Sequence, residues 1–218
     1  MKIQANGVNL FYKVAGQGAP LLLLHGNGED HSIFDKLMPR LAEHFRVCTL
    51  DSRNHGQSQI THLYSYDVMA EDVYAFIQAL GLGPVHLLGF SDGGILGLLL
   101  AMRHGECLRS MALLGANLTP DDMTKECHQL IQADYDRTKD PLLKLMLEQP
   151  NIQPEQLRGV DTPTLLVAAE NDIYKPEAWE RLCAALPHAQ TKIMAGHDHG
   201  SYVIHQDVLY PELMAFFV

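Results

Sequence analysis

The chain has 218 residues, of which 47% are apolar and 19% charged, enough for one domain with an ample core and without signs of disorder. Its net charge of -10 argues against nucleic acid and anionic membrane surfaces as partners. The N-terminus has no apolar leader, and no apolar run approaches the roughly 18 to 20 residues that span a bilayer. We therefore expect a cytoplasmic protein.

The first part of the chain predicts an antiparallel hairpin and then a buried strand. Residues 3–4 and 8–14 are strand-like and flank Asn6-Gly7, a pair whose tolerance of positive φ favours a tight turn. The wholly apolar run at 21–24 is typical of a strand covered on both faces of a sheet. The turn His25-Gly26-Asn27-Gly28 follows it directly.

Helix and strand patterns then alternate along the chain. Further strands are predicted at residues 46–50, 85–88, 108–114, 164–168 and 191–194. Apolar residues at helical spacing predict helices at 33–41, 69–80, 95–102, 179–186 and 208–218. We expect Ser65 to cap the second of these helices and Gly81 to close it.

The most informative stretch runs from residue 84 to residue 102. It reads as a short apolar strand, the turn Gly89-Phe90-Ser91-Asp92-Gly93-Gly94, and an almost unbroken apolar helix. A side chain at Gly89 or Gly93 would collide where strand and helix nearly touch, so we expect strained backbone angles that expose the Ser91 hydroxyl. The positive end of the helix points at the same place and would favour developing negative charge there.

This turn is the G-x-S-x-G nucleophile elbow, and with the H-G-x-G turn at 25–28 the chain resembles the α/β-hydrolase superfamily over essentially its whole length. The resemblance implies an α/β fold: a mostly parallel central sheet with an antiparallel N-terminal hairpin, helices on both faces and a short helical lid. It also implies that Ser91 is the nucleophile and that the backbone N–H groups of Asn27 and Asp92 form an oxyanion hole.

Residues 51–58 are similar to the family's D-x-R-G-x-G-x-S loop, with Asn54 where glycine is usual. We interpret Asp51 and Arg53 as structural residues whose charge-assisted bonds shape the rim of the site. His55 is interpreted as a loop histidine and not as a base.

Residues 118 to about 160 break the alternating pattern. Thr119-Pro120 starts a helix, and the apolar residues that follow suggest two or three short helices. Members of the family place a lid at this point. We therefore predict a single α/β-hydrolase domain over residues 1–218 with a lid insertion at about 118–160.

The resemblance places the triad acid after the strand at 164–168 and the base after the last strand. Asp172 is the predicted acid, with Glu170 as the alternative; Ala169 stands where the family more often has glycine. His199 is the predicted base, with His197 as the alternative, and the order Ser, Asp, His is that of this fold.

No metal or other cofactor is predicted. The His197-x-His199 pair lacks a companion cluster of metal ligands. The four cysteines are scattered and form no C-x-x-C pair, so neither a zinc site nor a disulfide framework is indicated.

The residues together predict a serine hydrolase that cleaves a small carboxylic ester through an acyl-enzyme, with a small-molecule acyl compound as its substrate. Thioesterase, lactonase, C–C hydrolase or lyase, and perhydrolase activities remain as alternatives on the same triad. A ligand-sensing member of the fold with little turnover is the alternative of a different class.

Overall fold

An eight-stranded sheet forms the centre of the computed structural model, which describes residues 1–218. Its strands are β1 (Lys2–Ala5), β2 (Val8–Ala15), β3 (Ala19–Leu24), β4 (Phe45–Leu50), β5 (Val85–Phe90), β6 (Leu108–Leu114), β7 (Thr164–Asn171) and β8 (Gln190–Asp198). Their order across the sheet is β1-β2-β4-β3-β5-β6-β7-β8. The pairs β1/β2 and β2/β4 are antiparallel and the other pairs are parallel. The predicted mostly parallel sheet with an N-terminal hairpin is confirmed.

The hairpin turn has the backbone that its two residues allow. Asn6 has φ 46° and Gly7 has φ 76°. Consecutive positive φ values match the twist of the flanking strands, which is why this pair of residues is favoured in two-residue turns.

Seven α-helices surround the sheet. They are α1 (Leu37–Leu41), α2 (Tyr66–Ala79), α3 (Asp92–His104), α4 (Lys125–Thr138), α5 (Pro141–Glu148), α6 (Pro176–Ala185) and α7 (Tyr210–Phe217). Buried side chains of α2, α3 and α6 share one core with Leu22 and Leu24. Those of α1 and α7 share a second core with Leu21 and Leu23. Because successive strand residues face opposite sides, the apolar run of β3 feeds both cores, and the prediction of helices on both faces is confirmed.

The predicted helix at 33–41 is wrong as a continuous element. A 3₁₀ helix covers His31–Phe34, and α1 begins only at Leu37. Pro39 explains the break, because a continuous helix would need its missing N–H to donate to the carbonyl of Asp35 and would press its ring against that carbonyl.

The predicted cap of α2 is also wrong in detail. Ser65 occupies the N-cap position, but its side chain makes no capping hydrogen bond. A capping side chain would accept from the second or third N–H of the helix. The first N–H, that of Tyr66, donates to Oε1 of Gln149, 3.2 Å away. A distant side chain thus satisfies one of the free N–H groups at the start of the helix.

The chain between β6 and β7 contains α4, α5 and two 3₁₀ helices at Pro120–Asp122 and Pro154–Gly159. The first follows Thr119-Pro120 as predicted, and it carries a capping box between Thr119 and Asp122. Helix α4 buries none of its residues fully, as expected for a helix on the outside of the molecule. None of the helices combines the length and the apolar character needed to cross a membrane.

Candidate active site

Ser91 lies at the tip of a sharp turn between β5 and α3. Its backbone angles are φ 51° and ψ -113°, a conformation that non-glycine residues rarely adopt. Its N–H donates to the carbonyl of Leu114, 2.8 Å away. A Cβ atom at Gly89 would strike the carbonyl of Gly93, so strand and helix approach as closely as the sequence pattern predicts.

His199 lies between the hydroxyl of Ser91 and the carboxylate of Asp172. Its Nε2 atom is 3.1 Å from Ser91 Oγ, and its Nδ1 atom is 2.7 Å from Asp172 Oδ1. A neutral imidazole with its proton on Nδ1 donates to the carboxylate and accepts from the hydroxyl. The structure therefore brings together the three residues that the sequence analysis selected as nucleophile, base and acid.

The carboxylate of Asp172 is held in one orientation by backbone donors. The N–H of Ala169 donates to Oδ2 at 3.0 Å, and that of Ile173 donates to Oδ1 at 2.8 Å. Burial alone would raise the pKa of Asp172, but the hydrogen bond and charge of His199 and these two N–H groups outweigh burial and lower it.

The two alternative residues lie elsewhere. Glu170 is exposed, and its Oε2 atom accepts from the N–H of Gly196 at 2.6 Å. The Nδ1 atom of His197 is 3.1 Å from the hydroxyl of Ser201 and makes no contact with Ser91. Neither alternative takes part in the Ser91–His199–Asp172 arrangement.

The turn after β3 lies against Ser91. A Cβ atom placed on Gly26 would be 3.1 Å from Cβ of Ser91, and the N–H of Gly93 donates to the carbonyl of His25 at 3.1 Å. The N–H of Asn27 has no acceptor within the protein. Asp92 is the first residue of α3, so its N–H has no partner inside the helix. The two N–H groups selected from the sequence are thus both available next to Ser91.

The neutral side chain of His25 holds this turn in place through two hydrogen bonds. The N–H of Ser52 donates to its Nε2 atom at 3.0 Å, and its Nδ1 atom is 2.7 Å from the carbonyl of Gly26. These partners require the proton to be on Nδ1. Burial and the neighbouring His55 lower the pKa of His25 to about 4.

The loop at 51–58 is held by buried charged groups. Arg53 forms an ion pair with Asp72 through its Nε atom, and both side chains are buried. His55 is buried and its Nδ1 atom is 2.9 Å from the carbonyl of Arg53, away from Ser91. These contacts fix the loop beside the turn at His25.

A group of potential metal ligands occurs next to this loop, at Asp30, His31 and Asp51. However, Oδ1 of Asp51 accepts from both the N–H and the Nδ1 atom of His31, and Oδ2 accepts from the N–H of Gln57. The carboxylate oxygens already have protein donors, so the group is explained as a hydrogen-bonded cluster.

A cavity of about 430 Å³ opens over Ser91 and His199. Its apolar wall is formed by side chains of the inserted chain and of neighbouring loops, at Ile131, Leu142, Leu143, Met146, Ile173 and Ile204. Glu29 and Asp140 also line it, whereas no lysine or arginine does. Oε2 of Glu29 accepts from the N–H of Gly26 at 2.9 Å, and burial raises the pKa of this carboxyl.

Two side chains next to the site were not selected from the sequence. The ring of Tyr174 lies edge-to-face against that of His199, with 5.4 Å between ring centroids. The hydroxyl of Tyr66 donates to Asp92 Oδ1 at 2.8 Å. Tyr66 precedes Asp92 by 26 residues, so periodicity carries no signal of this contact.

Known proteins resemble this chain in sequence and fold. The family model described as alpha/beta hydrolase fold matches residues 19–143. The chain is 29% identical over 140 residues to the 2-hydroxy-6-oxo-6-(2'-aminophenyl)hexa-2,4-dienoic acid hydrolase of Metapseudomonas resinovorans, covering 62% of this chain and 48% of that protein. It is 36% identical over 102 residues to the pimeloyl-[acyl-carrier protein] methyl ester esterase of Neisseria meningitidis serogroup A, covering 46% and 31%. The aligned part is therefore about half or less of these relatives.

The structural similarity to known proteins covers more of the chain than the sequence similarity does. The crystal structure of the enol-lactonase from Burkholderia xenovorans LB400 aligns with a TM-score of 0.83 and 20% identity, covering 99% of both chains. An identity this low speaks for the fold alone. With more than half of the 218 residues matched by the family model, and with this fold and elbow, the chain belongs to the α/β-hydrolase fold family.

Proposed function

We propose that the protein is a serine hydrolase that cleaves small, uncharged carboxylic esters. The observation that carries this proposal is the position of His199, which lies within hydrogen-bond distance of both Ser91 Oγ and Asp172 Oδ1 beneath an open cavity. A serine hydroxyl is a weak nucleophile unless a base takes its proton, and this arrangement supplies the base together with the group that orients it.

In the first half of the reaction, Ser91 Oγ attacks the ester carbonyl while His199 Nε2 takes its proton. The carboxylate of Asp172 keeps the imidazole in the required tautomer and stabilises its charged form. The N–H groups of Asn27 and Asp92 donate to the oxyanion of the tetrahedral intermediate. His199 then returns its proton to the leaving alcohol, and an acyl-Ser91 remains.

In the second half, His199 Nε2 takes a proton from water, which attacks the acyl-enzyme through a second tetrahedral intermediate. Return of that proton to Ser91 Oγ releases the carboxylic acid. The inserted chain at 118–160 acts as a lid in this proposal, because its residues Ile131, Leu142, Leu143 and Met146 cover the cavity above Ser91.

The charge of the cavity favours an uncharged substrate. Its ionisable lining residues other than His199 are the acids Glu29 and Asp140. A substrate carboxylate would find no lysine or arginine to bind it. This argues against an acid of the kind named for the first relative and in favour of an uncharged group such as the methyl ester named for the second.

Fluorophosphonate labelling tests the proposal. We expect one adduct, located by peptide mass on Ser91, and hydrolysis of 4-nitrophenyl acetate by the unlabelled protein. Ser91→Ala should lose both properties. Ser201→Ala is the matched control, because it removes an exposed serine hydroxyl that contacts His197 instead of His199. Undiminished ester hydrolysis by a folded Ser91→Ala protein would contradict the proposal.

A further inference from the structure

The residue directly after Ser91 carries a buried carboxylate. Asp92 is 4% exposed. Its two oxygens accept from neutral groups: Nδ2 of Asn27 at 3.0 Å and the hydroxyl of Tyr66 at 2.8 Å. Burial raises the pKa of this carboxyl. A buried carboxylate without a cation is costly, so its partners are informative about what it does here.

The first partner is the side chain of Asn27, the other residue whose N–H is proposed to hold the oxyanion. Nδ2 of Asn27 also lies 3.3 Å from the carbonyl of Leu142, at the start of α5. Because Asp92 and Leu142 both present acceptors, only the amide nitrogen of Asn27 can face them, and both of its hydrogens are used. The side chain thus joins the turn after β3 to the start of α3.

The second partner holds the carboxylate from its other side. Tyr66 is 2% exposed and is the first residue of α2. Its backbone is fixed by the hydrogen bond from its N–H to Gln149 Oε1. Because the Tyr66 hydroxyl is buried and lies on a fixed helix end, it leaves the Asp92 carboxylate little freedom to rotate. The carboxylate in turn holds the Asn27 side chain.

We propose that the Asp92 carboxylate is a positioning group that sets the separation of the Asn27 and Asp92 N–H groups by holding the Asn27 side chain against α3, with Tyr66 fixing the carboxylate. This inference rests on the proposed function, in which those two N–H groups hold the oxyanion. Donors that are held in place before reaction contribute most to transition-state stabilisation, and small displacements lower the rate steeply.

Two effects of the carboxylate can be separated by mutation. As a nearby negative charge it opposes an oxyanion, so neutralising it would speed the reaction if charge were its main effect. As a positioning group it speeds the reaction, and its loss slows it. Asp92→Asn keeps an acceptor for Tyr66 but turns an N–H group toward the Asn27 amide, so the two effects predict opposite results.

The experiment measures ester hydrolysis by Asn27→Ala, Tyr66→Phe, Asp92→Asn and the Tyr66→Phe/Asp92→Asn double variant. Asn27→Ala retains the backbone N–H and removes only the side-chain hydrogen bonds. Tyr202→Phe is the matched control for Tyr66→Phe, because the Tyr202 hydroxyl is buried and has no hydrogen-bond partner. Thermal unfolding of each variant checks that it is folded.

We expect kcat to fall about 10-fold to 100-fold in each single variant, with KM within about twofold of the wild-type value. The affinity for a trifluoromethyl ketone, which forms a tetrahedral adduct with the serine, should fall by the same factor. The affinity for the matching methyl carbinol, which forms none, should stay unchanged. The double variant should be little slower than the slower single variant, since both changes release the same group.

Two failures are distinguishable. If the wild-type protein hydrolyses no ester and takes no fluorophosphonate label, the proposed function is wrong, and this inference is overturned with it. If wild-type hydrolysis depends on Ser91 but Asn27→Ala and Asp92→Asn keep a wild-type kcat, or Asp92→Asn is faster, only the positioning inference is overturned.

Discussion

The imidazole of His199 lies directly over the backbone of Gly115. A Cβ atom at Gly115 would be 2.6 Å from Cε1 and 2.9 Å from Nδ1 of that ring, and Gly115 has φ +58°. The ring can therefore reach Ser91 only because position 115 has no side chain. Gly115 directly follows the last residue of β6, and β6 is separated by β7 from β8, the strand that precedes His199.

Replacing Gly115 with alanine should displace His199 and lower kcat/KM at least about tenfold, because the hydrogen bonds to Ser91 and Asp172 are lost together. Gly81→Ala is the matched control. Gly81 has the same φ of +58° but no atom within 4 Å of its Cβ position. Both variants should lose about 1–2 kcal/mol of stability from backbone strain, measured by urea unfolding. Equal activity in the two variants would contradict the proposed role of the contact.

His199→Ala should lower kcat by about 10²-fold to 10⁴-fold, since it removes the ring nitrogen that lies 3.1 Å from Ser91 Oγ and is proposed to take its proton. His197→Ala should retain most activity, because His197 contacts Ser201 and not Ser91. Steady-state kinetics with 4-nitrophenyl acetate tests both. The reverse result would transfer the role of base to His197.

Stability should fall on acidification because of His25. Its pKa is about 4 in the folded protein and near 6.5 when exposed, so the unfolded chain binds the extra proton between these values. The stability that depends on neutral His25 is fully present above pH 6.5 and is lost progressively as the pH falls to about 4. The difference between the two pKa values corresponds to about 3–4 kcal/mol of unfolding free energy, at about 1.4 kcal/mol per pH unit.

Urea unfolding between pH 4 and pH 7 measures this loss. His25→Gln, whose side-chain oxygen can accept from the N–H of Ser52, should show a shallower pH dependence than the wild type. His188→Gln, at an exposed position, should keep the wild-type slope. Equal slopes in all three proteins would show that His25 is not the group responsible.

The acids that line the cavity should set a charge preference. We expect 4-nitrophenyl 4-methylpentanoate to be hydrolysed with a kcat/KM at least about tenfold higher than that of its near-isosteric hemisuccinate ester, because Glu29 repels the carboxylate. Glu29→Gln should reduce the ratio of kcat/KM for the 4-methylpentanoate ester to kcat/KM for the hemisuccinate ester. Glu43→Gln, which makes the same charge change at an exposed site, should not. A higher kcat/KM for the hemisuccinate would contradict the proposal that the cavity prefers uncharged esters.

The sequence predicts those parts of the fold that depend on neighbours along the chain. Alternating apolar strands and amphipathic helices, and the glycines around Ser91, each act within a few residues. The predicted helix at 33–41 is wrong as one element because the spacing of apolar residues takes no account of the N–H group that Pro39 lacks. Ser65 occupies the predicted N-cap position but makes no capping hydrogen bond. The partner of the Tyr66 N–H is Gln149, which lies 83 residues further along the chain, so no local pattern indicates it.

The candidate site is predictable only in part for the same reason. The resemblance to the family selects Ser91 and favours Asp172 over Glu170, but two histidines follow the predicted last strand at 191–194. Strand β8 continues to Asp198, which places His197 within the strand and His199 beyond its end. The contact between Asn27 and Asp92 joins residues 65 positions apart, and no local pattern contains it.

The strained backbone at Ser91 lowers the stability of the fold, while the proposed activity requires a serine at this position. Glycine adopts φ 51° and ψ -113° without a steric penalty, whereas serine bears a cost of about 1–3 kcal/mol there. Ser91→Gly should therefore unfold at a higher temperature than the wild type while losing the hydroxyl that we propose as the nucleophile. Selection for thermostability alone would tend to discard this serine, so a screen that seeks stable variants must also require turnover if the site is to survive.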